Sequence, residues 1–218
     1  DTVRHGLTQA NSDLVINCAA YTDVNGAEDA KDIAYNVNAY GPEYIAKVTR
    51  DLDIPMVQIS TNYVFDGNQD MPYREDDRVQ PINVYGASKL RGEELVQAHN
   101  PKHYIVRTSH LYGMHGKNFV QTMLSLAETR DTLQVVKDQI GNPTYTRDLA
   151  QGIQDLLEGG FDYGIYHMSN TTPAEAGISW YHFTKKIMEL RGMPVSVVPI
   201  PSSDFPTKAP RPKPGTLL

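Results

Sequence analysis

The chain has 218 residues, with 20 lysines and arginines against 26 aspartates and glutamates and a formal net charge of −6. At 40% apolar and 21% charged residues it can build a core, which excludes a disordered chain. The acid excess speaks against a nucleic-acid partner, no run approaches the ~20 apolar residues of a membrane span, and the single cysteine, Cys18, cannot form an internal disulfide, so a cytoplasmic protein is expected.

The first strong apolar run, residues 14–20, reads as a buried parallel strand. A helix is expected over about 34–50 and a second buried strand over 54–60. A turn-rich segment leads to a helix over about 84–99, and a third strand covers 104–108. Strands and helices alternating at this spacing indicate βαβ units. The expected fold is therefore α/β, a Rossmann-like doubly wound parallel sheet. Beyond residue 113 a helix near 119–129, a strand at 133–137, a helix over 148–157, a strand at 165–168 and a helix over 179–190 follow. Residues 194–218 hold seven of the 14 prolines and read as a stiffened tail. Residues 1–113 are thus expected to form part of a dinucleotide-binding domain. Residues 114–218 would be mainly a smaller α+β substrate lobe, with some segments returning to the sheet and the ligand cleft at the boundary.

A tyrosine four residues before a lysine occurs twice, at Tyr85 and Lys89 and at Tyr181 and Lys185. On a helix either pair places a phenol near an ammonium, which would pull the tyrosine toward the acidity that a proton donor needs. Context separates them. Tyr85 opens a helix after Pro81 and Asn83, followed by the small residues Gly86, Ala87 and Ser88, which would let a flat group approach. Upstream, Ser60 and Thr61 end a buried strand, where a hydroxyl faces a cleft. Tyr181 lies in an amphipathic helix and reads as a half-buried aromatic beside a solvated lysine. The seven histidines show no metal-ligand spacing, so no metal site is expected among them. Acidic pairs such as Glu93-Glu94 read as solvated faces. Ser109 and Cys18 have no nearby base to activate them.

At these residues the chain resembles the extended short-chain dehydrogenase/reductases and, among them, the dTDP-4-dehydrorhamnose reductase family. The likeness is carried by AAYTDVNGAE (19–28), STNYVFDG (60–67), YGASK (85–89), RTSHLYG (107–113), DQIGNPT (138–144) and FPTKAPRP (205–212), in family order. It implies an NAD(P)-dependent oxidoreductase that reduces the 4-keto group of dTDP-4-dehydro-L-rhamnose to dTDP-L-rhamnose with NADPH or NADH. Tyr85 would protonate the forming C4 alkoxide, Lys89 would hold the nicotinamide ribose and lower the Tyr85 pKa, and Thr61 would orient the carbonyl. Ala19, Ala20, Tyr21 and Thr22 would line the cofactor. Asn38 would join them or, equally, satisfy buried backbone.

Val24, Asn62, Tyr63 and Val64 would flank the sugar together with His110, whose alternative is a strand-end imidazole without a role. Arg211 would reach the nucleotide end, its alternative being a surface arginine. Asn62 stands where the family usually has aspartate, His110 where it usually has tryptophan, and Gly215 where it tends to have serine. The resemblance also allows a homodimer and a Mg2+ ion between subunits. It makes residues 14–20 the fourth strand, so that a leading βαβαβ portion of about 50 residues with a glycine-rich turn would precede them. Without that turn, the chain as written would bind a dinucleotide poorly. Two alternatives remain: a reductase, epimerase or dehydratase for another nucleotide sugar, and a non-catalytic subunit like the regulatory one of methionine adenosyltransferase.

Overall fold

The computed structural model describes residues 2–173 and 177–218. A helix α1 (Thr2–Gln9) precedes β1 (Val15–Asn17); α2 (Lys31–Tyr35) then runs through a π-helical turn, Asn36–Tyr40, into α3 (Gly41–Asp51). Next come β2 (Met56–Thr61), α4 (Val84–His99), β3 (His103–Thr108), the short β4 (Leu111–Tyr112) and α5 (Phe119–Ala127). The second half adds β5 (Thr132–Val136), β6 (Ile140–Gly141), β7 (Thr144–Tyr145), α6 (Thr146–Glu158) and β8 (Gly164–His167). It ends with β9 (Ile178–Ser179), α7 (Trp180–Arg191) and β10 (Ser196–Ile200).

The main sheet is wholly parallel in the order β1-β2-β3-β8. Alternation along its strands sends side chains to two different cores, as the period-2 geometry of a strand requires. Met56 and Ile105 join Ala46 of α3 and Val96 of α4 on one face. Val57, Tyr104 and Val106 join Leu149, Ile153 and Leu156 of α6 on the other. Helices therefore cover both faces, as the continuous apolar strands imply. The chain returns to this sheet at β8, long after it has left β3.

A second, two-stranded parallel sheet pairs β5 with β10, register Thr132↔Ser196 through Val136↔Ile200. Its core joins Leu133 and Val135 to Ile187 and Met188 of α7 and to the α5 residues Met123 and Leu124. No described helix is long and apolar enough to cross a membrane.

The element that positions the site is α4. Asn83 starts it, its Oδ1 accepting from the Gly86 amide at 2.7 Å. Two glycines let the helix sink onto backbone: a Cβ at Gly86 would stand 2.1 Å from the Tyr63 carbonyl oxygen, and one at Gly92 2.1 Å from that of Asn38. The small-residue step at 86–88 is thus taken up by the chain itself, not kept open for a flat ligand. Ser88, fully buried, accepts from Asn38 Nδ2 at 3.0 Å and donates to the Tyr85 carbonyl.

Candidate active site

Thr61 ends β2 and caps the 3-10 turn Asn62–Val64, its Oγ1 accepting from the Tyr63 amide at 3.1 Å and donating to Asn62 Oδ1 at 3.3 Å. The close seat of α4 on Tyr63 brings Tyr85 beside this turn. The Tyr63 and Tyr85 rings meet edge to face at 5.5 Å. Tyr85 is half-buried as a residue, yet burial of its phenol pushes its pKa up to about 12. The Thr61 hydroxyl hydrogen-bonds the phenol and works against that rise, while the neighbouring Tyr63 phenol adds to it.

Lys89, one helical turn on, has its Nζ turned toward β2, where it donates to the Ile59 carbonyl at 2.6 Å, and it is not among the groups that shift the Tyr85 phenol. Burial also pulls the lysine itself down to about 8, against the opposing charges of Glu93 and Cys18. Tyr85 is therefore a protonated phenol at neutral pH, a donor held in reserve and not a partly ionised acid.

Ala19, Ala20, Tyr21 and Thr22 follow the carboxyl end of β1, Ala19 and Thr22 exposed and the other two half-buried. Asn38 stays away from any ligand surface. Fully buried, it accepts from the Tyr21 amide at 2.8 Å and donates to the Tyr21 carbonyl at 3.1 Å. With Ser88 as its third partner, it braces the 19–22 loop against α4.

A cavity of about 670 Å3 lies between the loops at the main sheet's carboxyl edge and the smaller sheet. Thr22, Val24, Tyr63 and Arg211 form one wall; Phe119, Met123, Trp180 and Phe205 are among those forming the other. Arg211 donates to Asn25 Oδ1 at 3.1 Å, and its guanidinium carbon lies 5.9 Å from the Tyr63 ring centre. Burial pushes the Tyr63 phenol up, the positive charge of Arg211 works against that rise, and the guanidinium stands on the cleft wall.

Three residues expected at the sugar are elsewhere. Val64 is fully buried in a core with Phe65, Tyr73 and Leu217. Asn62, 2% exposed, donates to the Gly215 carbonyl at 2.8 Å and so ties the tail to the end of β2. A Cβ at Gly215 would lie 2.5 Å from Asn62 Nδ2, so the two departures from the resembled family occupy one contact. His110 adopts a left-handed backbone, φ 47°, and stacks on Trp180 with ring centres 3.9 Å apart. Burial pulls its pKa down to about 3. It is a neutral prop under the indole, and Trp180 supplies the cleft surface.

Trp180 was legible only as an apolar helix residue, since nothing local marks its contact with His110. Glu93 also departs from its reading as part of a solvated face. It is fully buried and receives Arg107 Nη2 at 2.7 Å, with Ser60 donating its hydroxyl to Oε1. Glu94 is the solvated member of the pair, bonded to Arg91 at 2.8 Å.

The whole chain, residues 1–218, matches the RmlD substrate binding domain family. It belongs to that family. The Bacillus subtilis (strain 168) protein named spore coat polysaccharide biosynthesis protein SpsK is 44% identical over 212 residues, covering 97% of this chain and 72% of the relative. A Sinorhizobium fredii dTDP-4-dehydrorhamnose reductase is 40% identical, covering 97% of this chain and 73% of the relative. Among solved structures, the dTDP-4-dehydrorhamnose reductase of Bacillus anthracis str. Ames in complex with NADP is 42% identical with a TM-score of 0.94, over 99% of this chain and 75% of that one. This member of the RmlD family therefore spans about three quarters of those relatives' length and has the same backbone arrangement as the solved one over the part it covers.

Proposed function

We propose that this chain carries the catalytic residues and much of the substrate cleft of an NAD(P)H-dependent reductase for the 4-keto group of dTDP-4-dehydro-L-rhamnose. The observation that carries the reading is the meeting of Thr61 and Tyr85 hydroxyls at the carboxyl edge of a parallel sheet, beside a cavity lined by Arg211. Relatives at 40–44% identity bear reductase or polysaccharide-biosynthesis names, and one solved relative holds NADP.

The residues fit a nicotinamide cofactor at this edge: the exposed 19–22 loop offers two alanines and backbone beside α4, and Lys89 stands behind it. When bound, the cofactor supplies the hydride. The protein's part is orientation and proton supply. Thr61 and Tyr85 present two O–H donors to one ketone oxygen, where negative charge develops as the carbonyl is reduced. Tyr85, protonated at neutral pH, gives its proton to that oxygen. Thr61 holds the carbonyl in line and is itself fixed by the Tyr63 amide. Arg211, on the cleft wall beside Tyr63, supplies positive charge for the nucleotide's phosphates, and the aromatic wall of Trp180 and Phe119 excludes water from the cleft. Residues 114–218 act in this reading mainly as the substrate lobe, with β8 and α6 completing the dinucleotide-binding half.

A panel of 4-keto nucleotide sugars tests the reading in the full-length protein, followed as loss of NADPH absorbance. The dTDP sugar is expected to be consumed at least tenfold more efficiently than UDP or GDP counterparts, a margin of about 1.4 kcal/mol. A preference for a UDP- or GDP-sugar would move the assignment to another nucleotide-sugar enzyme.

A further inference from the structure

The Ser60–Glu93–Arg107 cluster lies directly beneath the two hydroxyls of the site and has no part in the chemistry described so far. Glu93 sits one helical turn beyond Lys89 on α4, with no exposure at all. Arg107 Nε reaches both of its carboxylate oxygens, at 3.1 and 3.2 Å, and Nη2 adds a third contact at 2.7 Å. The remaining guanidinium nitrogen, Nη1, donates to the Glu75 carbonyl at 3.3 Å. Ser60 donates to Glu93 from β2, and the next two residues in either direction are those that matter: Ile59 accepts from Lys89, and Thr61 meets Tyr85. One carboxylate thus binds the ends of β2 and β3 to the helix that carries Tyr85 and Lys89.

We propose that Glu93 is a positioning residue of the reductase site, locked by Arg107 and Ser60 so that it fixes α4 on the strand ends and holds Lys89 as an ammonium against the Ile59 carbonyl. The inference deepens the proposed reductase reading and rests on it. A buried ammonium is costly without nearby negative charge, and the Glu93 carboxylate, shared with Arg107, is the anionic group on the same helix that opposes the burial of Lys89. The other groups around Lys89 are few. Cys18 faces it from beyond β1, with the same sign of influence as Glu93. Arg107 approaches from β3 with its charge directed onto Glu93, and β2 contributes the neutral Ser60 side chain and the Ile59 carbonyl.

The test uses the full-length protein and two variants, Glu93→Gln and the double Glu93→Gln/Arg107→Met. The double variant strands neither member of the Glu93–Arg107 pair and keeps the experiment informative if the single variant folds poorly. Loss of the carboxylate removes the influence that opposes burial at Lys89, so the lysine sheds its proton at lower pH. The alkaline limb of kcat/KM is expected to move down by about one pH unit, with the KM for the nucleotide sugar at pH 6 unchanged. The 15N resonance of Lys89 Nζ in selectively labelled protein is expected to titrate lower by the same interval, a readout independent of turnover. A folded variant with the wild-type pH limb and the wild-type Lys89 titration would overturn the inference and leave the reductase reading standing. Absence of turnover in the wild-type protein would instead defeat that reading, while the titration shift would still report on Glu93.

Discussion

Replacing Tyr85 by phenylalanine is expected to lower kcat by about 10²–10⁴-fold, the usual contribution of a positioned proton donor. The substitution removes one oxygen and little else. The edge-to-face contact with Tyr63 depends on the ring and not on the hydroxyl, and Thr61 retains Asn62 as its acceptor. The stability should therefore stay within about 0.5 kcal/mol of wild type, as for changes that disturb no packing. KM should also change little, because the lost bond is strongest when charge has built up on the ketone oxygen. Steady-state kinetics beside a thermal melt would check both halves. Turnover that survives the change would remove Tyr85 as the acid. Tyr85 holds its proton at neutral pH, and the negative charge building on the ketone oxygen draws that proton across.

The largest effect on stability is expected at Arg107, a residue outside the reacting groups. Arg107→Ala takes from the Glu93 carboxylate its hydrogen-bonded ion-pair partner in a place without solvent, where the paired side chains are 3% and 0% exposed. Breaking a buried pair from one side costs about 3–5 kcal/mol. It also removes the guanidinium from the Phe65 ring, 5.2 Å away, and its bond to the Glu75 carbonyl. Urea unfolding at pH 7 would show the loss as a lower midpoint. Neutralising both partners together should recover part of it, because no charge is then left buried alone. A loss below about 1 kcal/mol would mean that the pair behaves as a solvated surface contact.

Much of the main sheet could be read from the chain because its signals are local. The helix expected over 84–99 has those bounds in the structure, and Asn83 caps its start. The buried strands β2 and β3 were visible as continuous apolar runs, whereas the run 14–20, expected as a buried strand, forms only the short edge strand β1, with Ile16 45% exposed. By contrast, β10 was hidden by Pro194, Pro199 and Pro201. It tolerates Pro199 because it pairs on one side only, with β5, so one strand edge can lack a donor. The helix α1 buries no residue and so left no apolar stripe to read.

At the site the division is similar. Tyr85 and Thr61 were marked by motif and strand-end position, and the structure brings them together. The behaviour of Lys89 was not legible, because its carbonyl partner lies 30 residues away on another element. Glu93 looked like a solvated charge for the same reason: its partner is 14 positions on, in β3. His110 and Trp180 lie 70 positions apart, and only the folded chain shows that one supports the other.

The most direct measurement follows the hydrogen itself. Full-length protein would be given dTDP-4-dehydro-L-rhamnose and NADPH carrying deuterium on the reduced ring carbon, and the product examined by NMR. The account predicts deuterium at sugar C4, with the new hydroxyl formed there in the wild type and a much slower appearance of the same product in Tyr85→Phe. Deuterium at another sugar carbon, or a product without it, would contradict the account.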